Sequence, residues 1–482
     1  MKKIKFRYGK GLLLIFSILT IFACTEKLDI KPKQSIDAET ALNSPENIKS
    51  TLVGAYLEAR STSLFGSYFN EYSELYAATV DLRFIGTYVS HRELATKLAS
   101  TTNGNVEATW VNAYQLINKC NLLLQENVLA KLKNDDDKEL IEGEAKFLRG
   151  WVLFEMVRLF GQPYKKGDAN SQDGVPLLLT ATNDVADAIK VARSSVGQCY
   201  TQLISDLTRA KAILPEENGV YATSFAASAV LARVYLQMGD FVNAATEANN
   251  VIQNGGFSLN STPLEAFNNR EVTTEDIFML QNNAASNTST LSVMYGSLNG
   301  VGRGDYDIQK VFLDQFDPLD LRGMFQGEPD MQSSYTITDV TKMYYFGVGG
   351  IANKKGRKTA KWGDYYANIP LIRLAEMYLI RAEANFESGT AQIGPNTPTQ
   401  DINIVRTRAL APVYLVNVTR QQIRDERYFE LCWEGHRLHD LKRWQLDIGT
   451  YTYDAGNLIL PIPFREMEVN DLLIQNPWYL GL

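Results

Sequence analysis

Residues Leu231–Gln253 read LARVYLQMGDFVNAATEANNVIQ, and the spacing inside this stretch decides how the chain folds. Ala232, Tyr235 and Gly239 precede Asp240, while Phe241, Ala244, Ala248 and Val251 follow it, all at helical steps. Small residues on facing turns let two antiparallel helices approach closely, and Gly239-Asp240 supplies the tight turn between them. The pattern predicts helices over roughly 223–238 and 241–254.

A second trace lies in Arg373–Gly389, RLAEMYLIRAEANFESG, where Ala382 and Gly389 repeat the step from Ala232 to Gly239. These are tetratricopeptide offsets, and two degenerate copies indicate a helix-pair scaffold rather than a long array. Working outward, Trp110, Ala113, Tyr114, Ile117, Asn121 and Leu124 share one helix face. Lys138–Phe160 reads as a strong helix ended by Gly161 and Pro163. Further helices are expected over roughly 194–213, 370–388 and 419–434.

Between about 256 and 368 the pattern changes. Short β-like runs, Asp276–Leu280 and Lys342–Phe346, stand among long polar, glycine-rich loops. Loops of that length in a compact protein usually carry function. Ser63–Asn105 is also aromatic, and loop-prone toward its end. The expected fold class is mainly α: a tetratricopeptide-like helical scaffold with an irregular loop-rich lobe containing short β-strands. The expected organisation is a signal segment, 1–23, then one domain, 24–482. Its scaffold takes in roughly 38–255 and 369–482, and its lobe roughly 256–368.

The N-terminus reads as an address. Lys2, Lys3, Lys5, Arg7 and Lys10 precede the apolar run Leu12–Ala23, interrupted only by Ser17 and Thr20. A basic region before so short an apolar run is a secretory signal; a spanning helix takes about 20 residues. The run ends Ile21-Phe22-Ala23-Cys24, which resembles a bacterial lipobox, with Cys24 as the acylated thiol. Cys120, Cys199 and Cys432 then remain, an odd number at scattered spacing and no disulfide framework. Thr25–Asp37, polar and containing Pro32, reads as a tether.

Charge narrows the ligand. The chain carries a formal −7, and without the five leading cations 43 basic residues face 55 acidic ones, a net of −12. Such a surface has no electrostatic reason to hold nucleic acid, and a neutral ligand suits it better.

The search for chemistry is short. Cys432, His436 and His439, with Asp440, fall at spacings that would share a face of one helix, yet no second ligand pair is evident, so no metal is expected. Gly347–Lys358 (GVGGIANKKGRK) lacks the Gly-Lys-Ser/Thr ending of a phosphate cradle and reads as a flexible basic loop. The sequence contains neither H-E-x-x-H nor G-x-S-x-G. No catalytic residue and no cofactor is assigned.

Taken together, the motifs resemble the SusD/RagB family of outer-membrane nutrient-binding lipoproteins of Bacteroidetes-type bacteria. Leu28-Asp29 and Pro32 after Cys24 are similar to that family's mature N-terminus. Trp110, Tyr114, Ile117 and Asn121 are similar to its W-x3-Y-x2-I-x3-N helix. Glu144–Gly150 through Arg158–Gly161, and Pro370–Glu376 through Arg381–Ala384, are similar to two more of its helices. Arg427, Glu430-Leu431, Glu434–Arg437 and Asp440–Trp444 match a late helix, and Leu460–Pro463, Glu466, Asn470 and Gln475–Pro477 the closing segment. Trp478 stands where the family more often has Gly.

The resemblance implies a helical scaffold carrying a ligand lobe, a TonB-dependent outer-membrane channel as partner, and an oligosaccharide or peptide-type ligand. It implies no particular ligand residues, because the matching motifs are scaffold. Sugar rings present flat C–H faces to aromatic rings, with polar groups placed nearby. The candidates from the loop-rich stretches are therefore Phe84 and Tyr88 (with Arg83), Tyr295, Tyr306 (with Arg303 and Asp305), and Trp362. The leading expectation is a lipid-anchored, non-catalytic surface protein that captures an oligosaccharide. The alternatives are a secreted glycoside hydrolase and a tetratricopeptide-type protein-binding scaffold.

Overall fold

The structure is a computed structural model that describes residues 41–183, 189–283, 289–296, 302–326, 344–348 and 356–480. Cys24, the signal run and the centre of the Gly347–Lys358 stretch lie outside the described residues.

The first half of the chain is helical: α1 Pro45–Ala59, α2 Tyr68–Ala77, then after strand β1 Leu82–Phe84 the helices α3 Val89–Ala95, α4 Gly104–Leu123 and α5 Asp135–Phe160. Helices α6 Val196–Ile213, α7 Ser224–Met238 and α8 Phe241–Asn254 follow. The lobe holds β2 Asp276–Leu280, α9 Leu291–Tyr295, β3 Tyr306–Ile308, β4 Phe325–Gln326, β5 Tyr345–Val348 and β6 Gly356–Thr359. The chain re-enters the scaffold through β7 Ile369–Arg373, α10 Leu374–Ser388, α11 Pro398–Arg408, α12 Arg420–Leu431 and α13 Arg437–Arg443.

The helix pair that opened the sequence argument forms as its spacing dictates. Thr223 caps α7, its side chain accepting from the Ala226 amide, and Asp240 caps α8 in the same way through Asn243. Gly239 closes α7 at φ 70 and Gly389 closes α10 at φ 62, the left-handed conformation that glycine adopts without a Cβ penalty. Ala232, Ala244 and Ala248 are fully buried where α7 and α8 meet, and α8 packs in turn on α10. Nearby, Arg149 of α5 donates to both carboxylate oxygens of Asp206 on α6 and to Asn121 Oδ1 on α4, pinning three helices at a buried polar node. Asn121 completes the node by donating to Leu178 O at 2.8 Å.

One expectation needs correction. Residues 370–388 are not one helix: Ile369–Arg373 is a strand paired antiparallel with β2, and the helix starts only at Leu374. The run is apolar and buried on both sides, so its periodicity cannot separate strand from helix. Ser63–Asn105 holds α2 and α3, and its end, residues 96–103, runs through turns and loop. Elsewhere in the lobe, β1 pairs with β3, and β5 lies between parallel β4 and antiparallel β6. No helix among the described residues is long and apolar enough to cross a membrane.

The late family-like motifs close around a buried ionic network. Arg373 donates to Glu275 and Glu430 at 2.8 and 2.9 Å and reaches Glu434 at 2.8 Å. Arg408 pairs with Glu275 and Glu430, and Arg322 with Asp320, Glu426 and Glu430. Arg406 pairs with Glu426 and Lys361 with Glu434. Desolvation opposes the charge on Glu430, but Arg408, Arg373 and Arg322 outweigh it and hold the carboxyl well below the usual range. This network ties β2, β7, α11 and α12 together and fixes the lobe against the scaffold.

Candidate functional site

The sequence candidates separate into two groups by burial. Tyr295 and Tyr306 are fully buried, their rings packed edge to face at 4.5 Å, and Tyr295 also lies 6.4 Å from Trp433. Trp362 is 7% exposed; it packs edge-on to Phe267 and its indole N–H donates to Trp433 O at 2.9 Å. As placed, all three rings are packed into the protein, and of the three only Trp362 also lines small cavities among the described residues. Each follows a polar or glycine-rich stretch that reads as loop, but α9, β3 and the turn at Ala360–Trp362 fold these rings into the core.

Phe84 and Tyr88 come together at the surface. β1 and β3 pair so that Phe84 lies opposite Tyr306 and Arg83 opposite Asp307. Beyond the strand the Ile85 amide donates to Asp305 O at 2.8 Å, carrying the turn to Tyr88 at the head of α3. Tyr88 is 46% exposed. The guanidinium of Arg303 sits 4.1 Å from the centre of its ring, within cation–π range. Arg303 is itself held by Asp305 at 2.8 Å and donates to the Thr87 hydroxyl at 3.0 Å.

The shelf is braced from below. His91 lies 5.7 Å from the Tyr88 ring and is stacked under Phe84 at 5.8 Å. Its Nε2 bonds Glu71 Oε2 at 2.7 Å, and Asn105 Nδ2 lies 3.3 Å from its Nδ1, so both edges of the imidazole are fixed. Lys358 is fully buried and donates to Gly304 O and Tyr306 O, both at 2.7 Å, clamping the Arg303–Tyr306 segment to β6. Burial pushes its ammonium down to about 8, with Asp307 and Asp305 opposing the shift. Arg83 pairs with Asp307 at 2.8 Å. The arrangement presents one half-exposed aromatic ring with a fixed guanidinium over it, so a flat apolar ligand face can pack on the exposed part of the ring while the guanidinium donates to hydroxyls around it.

Hydrolysis would need a protonated acid and a second carboxylate poised across a cleft. At the shelf Asp305, Asp307 and Glu71 are instead engaged by Arg303, Arg83 and His91.

The Cys432, His436, His439 trio does not share a helix. α12 ends at Leu431 and α13 starts at Arg437, with Trp433 at φ 67 and Gly435 at φ 83 between them. A Cβ on Gly435 would meet Asn70 Cα at 2.9 Å, so the turn needs glycine on two counts. Helix α2 holds this turn: Asn70 donates to Trp433 O, and Glu74 accepts from the Gly435 amide at 2.9 Å. Burial lowers both histidines well below their ordinary value, with Arg233, Arg427 and Arg158 adding to the effect at His436. Among the described residues no group of His, Cys, Asp and Glu is arranged to hold a metal ion.

Comparison with known proteins agrees with this architecture. A SusD-like family model described as starch-binding and associating with the outer membrane matches residues 26–236, and the SusD family model matches 322–458. A SusD-like protein of Formosa agariphila is 26% identical over 99% of this chain and 100% of its own. The starch-binding protein SusD of Bacteroides thetaiotaomicron is 31% identical over 29% of this chain and 31% of its own. A solved SusD superfamily protein from Bacteroides thetaiotaomicron has a TM-score of 0.74 at 24% identity, covering 90% of this chain and 100% of that one. The chain belongs to the SusD/RagB family.

Proposed function

We propose that this protein is a cell-surface lipoprotein, anchored through Cys24, that binds a neutral oligosaccharide at the Tyr88 shelf without cleaving it. It delivers that ligand to a TonB-dependent outer-membrane channel. The observation that carries the reading is Tyr88: a half-exposed ring, braced by His91 and flanked by Arg303 and Asp305. The family model's description as starch-binding and outer-membrane-associated supports the ligand class and the location. Engagement of the shelf carboxylates by basic partners supports binding over hydrolysis.

The test is to incubate pure protein with maltoheptaose and a panel of other neutral oligosaccharides, following binding by calorimetry and integrity by chromatography. Retention of at least one glycan, recovered intact, is expected. Release of shortened products would establish the hydrolase reading instead.

A further inference from the structure

A cavity of about 390 Å³ opens between the 216–223 loop, the Gly255-Gly256-Phe257 turn and the edge of β2, among residues apart from those of the Tyr88 shelf. Its aromatic rim is Tyr221, 37% exposed, whose ring rests on Tyr56 at 4.9 Å. The Tyr56 hydroxyl accepts from the Ala222 amide at 3.0 Å, so the loop that carries Tyr221 is anchored from beneath.

The polar group of interest is Asp276, 8% exposed and lining the cavity at the start of β2. Its Oδ2 accepts from the amide and hydroxyl of Thr273 at 2.8 and 2.9 Å, but its Oδ1 is buried with no hydrogen-bond partner. An unpaired buried carboxylate oxygen is destabilising, the more so when charged, and a donor that reached it would relieve that. Burial pushes the Asp276 carboxyl up to about 6. The cavity lining includes Glu216 and Glu217 besides Asp276 and no lysine or arginine, so its field disfavours anions.

From this geometry we infer a second ligand site at Tyr221 and Asp276 that takes a non-anionic sugar ring. The ring packs against Tyr221 and Phe257 and donates a hydroxyl to Asp276. The inference rests on the saccharide reading above but places a separate binding event where the 216–223 loop meets β2. A protein with two sugar sites grips a branched or long glycan at two points, which raises its apparent affinity through effective concentration.

The test is crystallographic. Crystals of the wild-type chain and of Tyr88→Ala are soaked in saturating glucose, glucosamine or glucuronate. Sugar density at Tyr221 is expected in both proteins with glucose or glucosamine, and not with glucuronate. It should vanish in the Tyr221→Ala/Asp276→Asn double variant, whose fold the same crystals report. An empty cavity in every soak, density that persists in the double variant, or equal occupancy by glucuronate overturns the inference. Sugar at the Tyr88 shelf of wild-type crystals together with an empty cavity overturns it while leaving the shelf reading intact.

Discussion

Glu430→Gln tests what holds the ligand lobe to the scaffold. Glu430 is 1% exposed and accepts from Arg373 at 2.9 Å, from Arg322 at 3.2 Å and from Arg408. The connected network pairs Arg322, Arg373, Arg406, Arg408 and Lys361 with Asp320, Glu275, Glu426, Glu430 and Glu434, so its charges balance. Glutamine keeps the shape and one acceptor but leaves a cation in excess in a dry interior. Two charges at 4 Å interact by about 4 kcal/mol at an effective dielectric near 20, and the three guanidiniums keep other partners. The expected loss is therefore about 3–5 kcal/mol, the range found when one member of a buried pair is removed.

Because Glu430 is held below the usual carboxylate range, its contribution is present above that range and is lost as the pH falls through the folded value. Urea denaturation at neutral pH measures the loss directly. Glu387→Gln serves as control: its pair with Arg420 lies at the surface, the arginine more than half exposed, and its loss should be far smaller. If both variants lose the same small amount, the network is not what holds the lobe.

Other expectations follow from single residues. Glu74 is buried and its carboxyl is pushed up to about 8, chiefly by desolvation, so stability should fall as the pH rises from about 4.5 through 8; Glu74→Gln should flatten that slope in pH-dependent melting. Tyr306→Ala should cost about 3–5 kcal/mol of stability in denaturant titration, as for other buried rings, whereas Tyr88→Ala should leave stability nearly unchanged. Cys24→Ala should move the folded protein from the membrane to the soluble fraction, since acyl chains supply the membrane affinity. Unchanged retention in cells lacking any channel partner would refute the anchor.

The scaffold was legible because small residues at Ala232, Ala244 and Ala248 and turns at Gly239 and Gly389 leave a periodic record. The strand Ile369–Arg373 was not, because an apolar run buried on both faces has no distinguishing period. Site residues were only partly legible. Tyr88 and Tyr306 carry the same residue type in similarly polar surroundings, and only the fold separates them: β3 carries Tyr306 into the core, while Tyr88 heads α3 at the surface. Tyr221 and Asp276 gave no signal. One sits in an ordinary loop, and the other opens the strand DIFML, where nothing local reveals that one of its oxygens lacks a donor.

The most direct measurement of the central claim is a calorimetric comparison of the wild-type chain with Tyr88→Ala against the neutral glycan that binds best. A stacked ring contributes about 1–3 kcal/mol, borrowing the figure for base–aromatic stacking, so affinity should fall about 5- to 150-fold. The fall should change little with salt, because the ligand is stacked rather than ion-paired. Equal affinity in the two proteins, or failure of every neutral glycan to bind, would contradict the account.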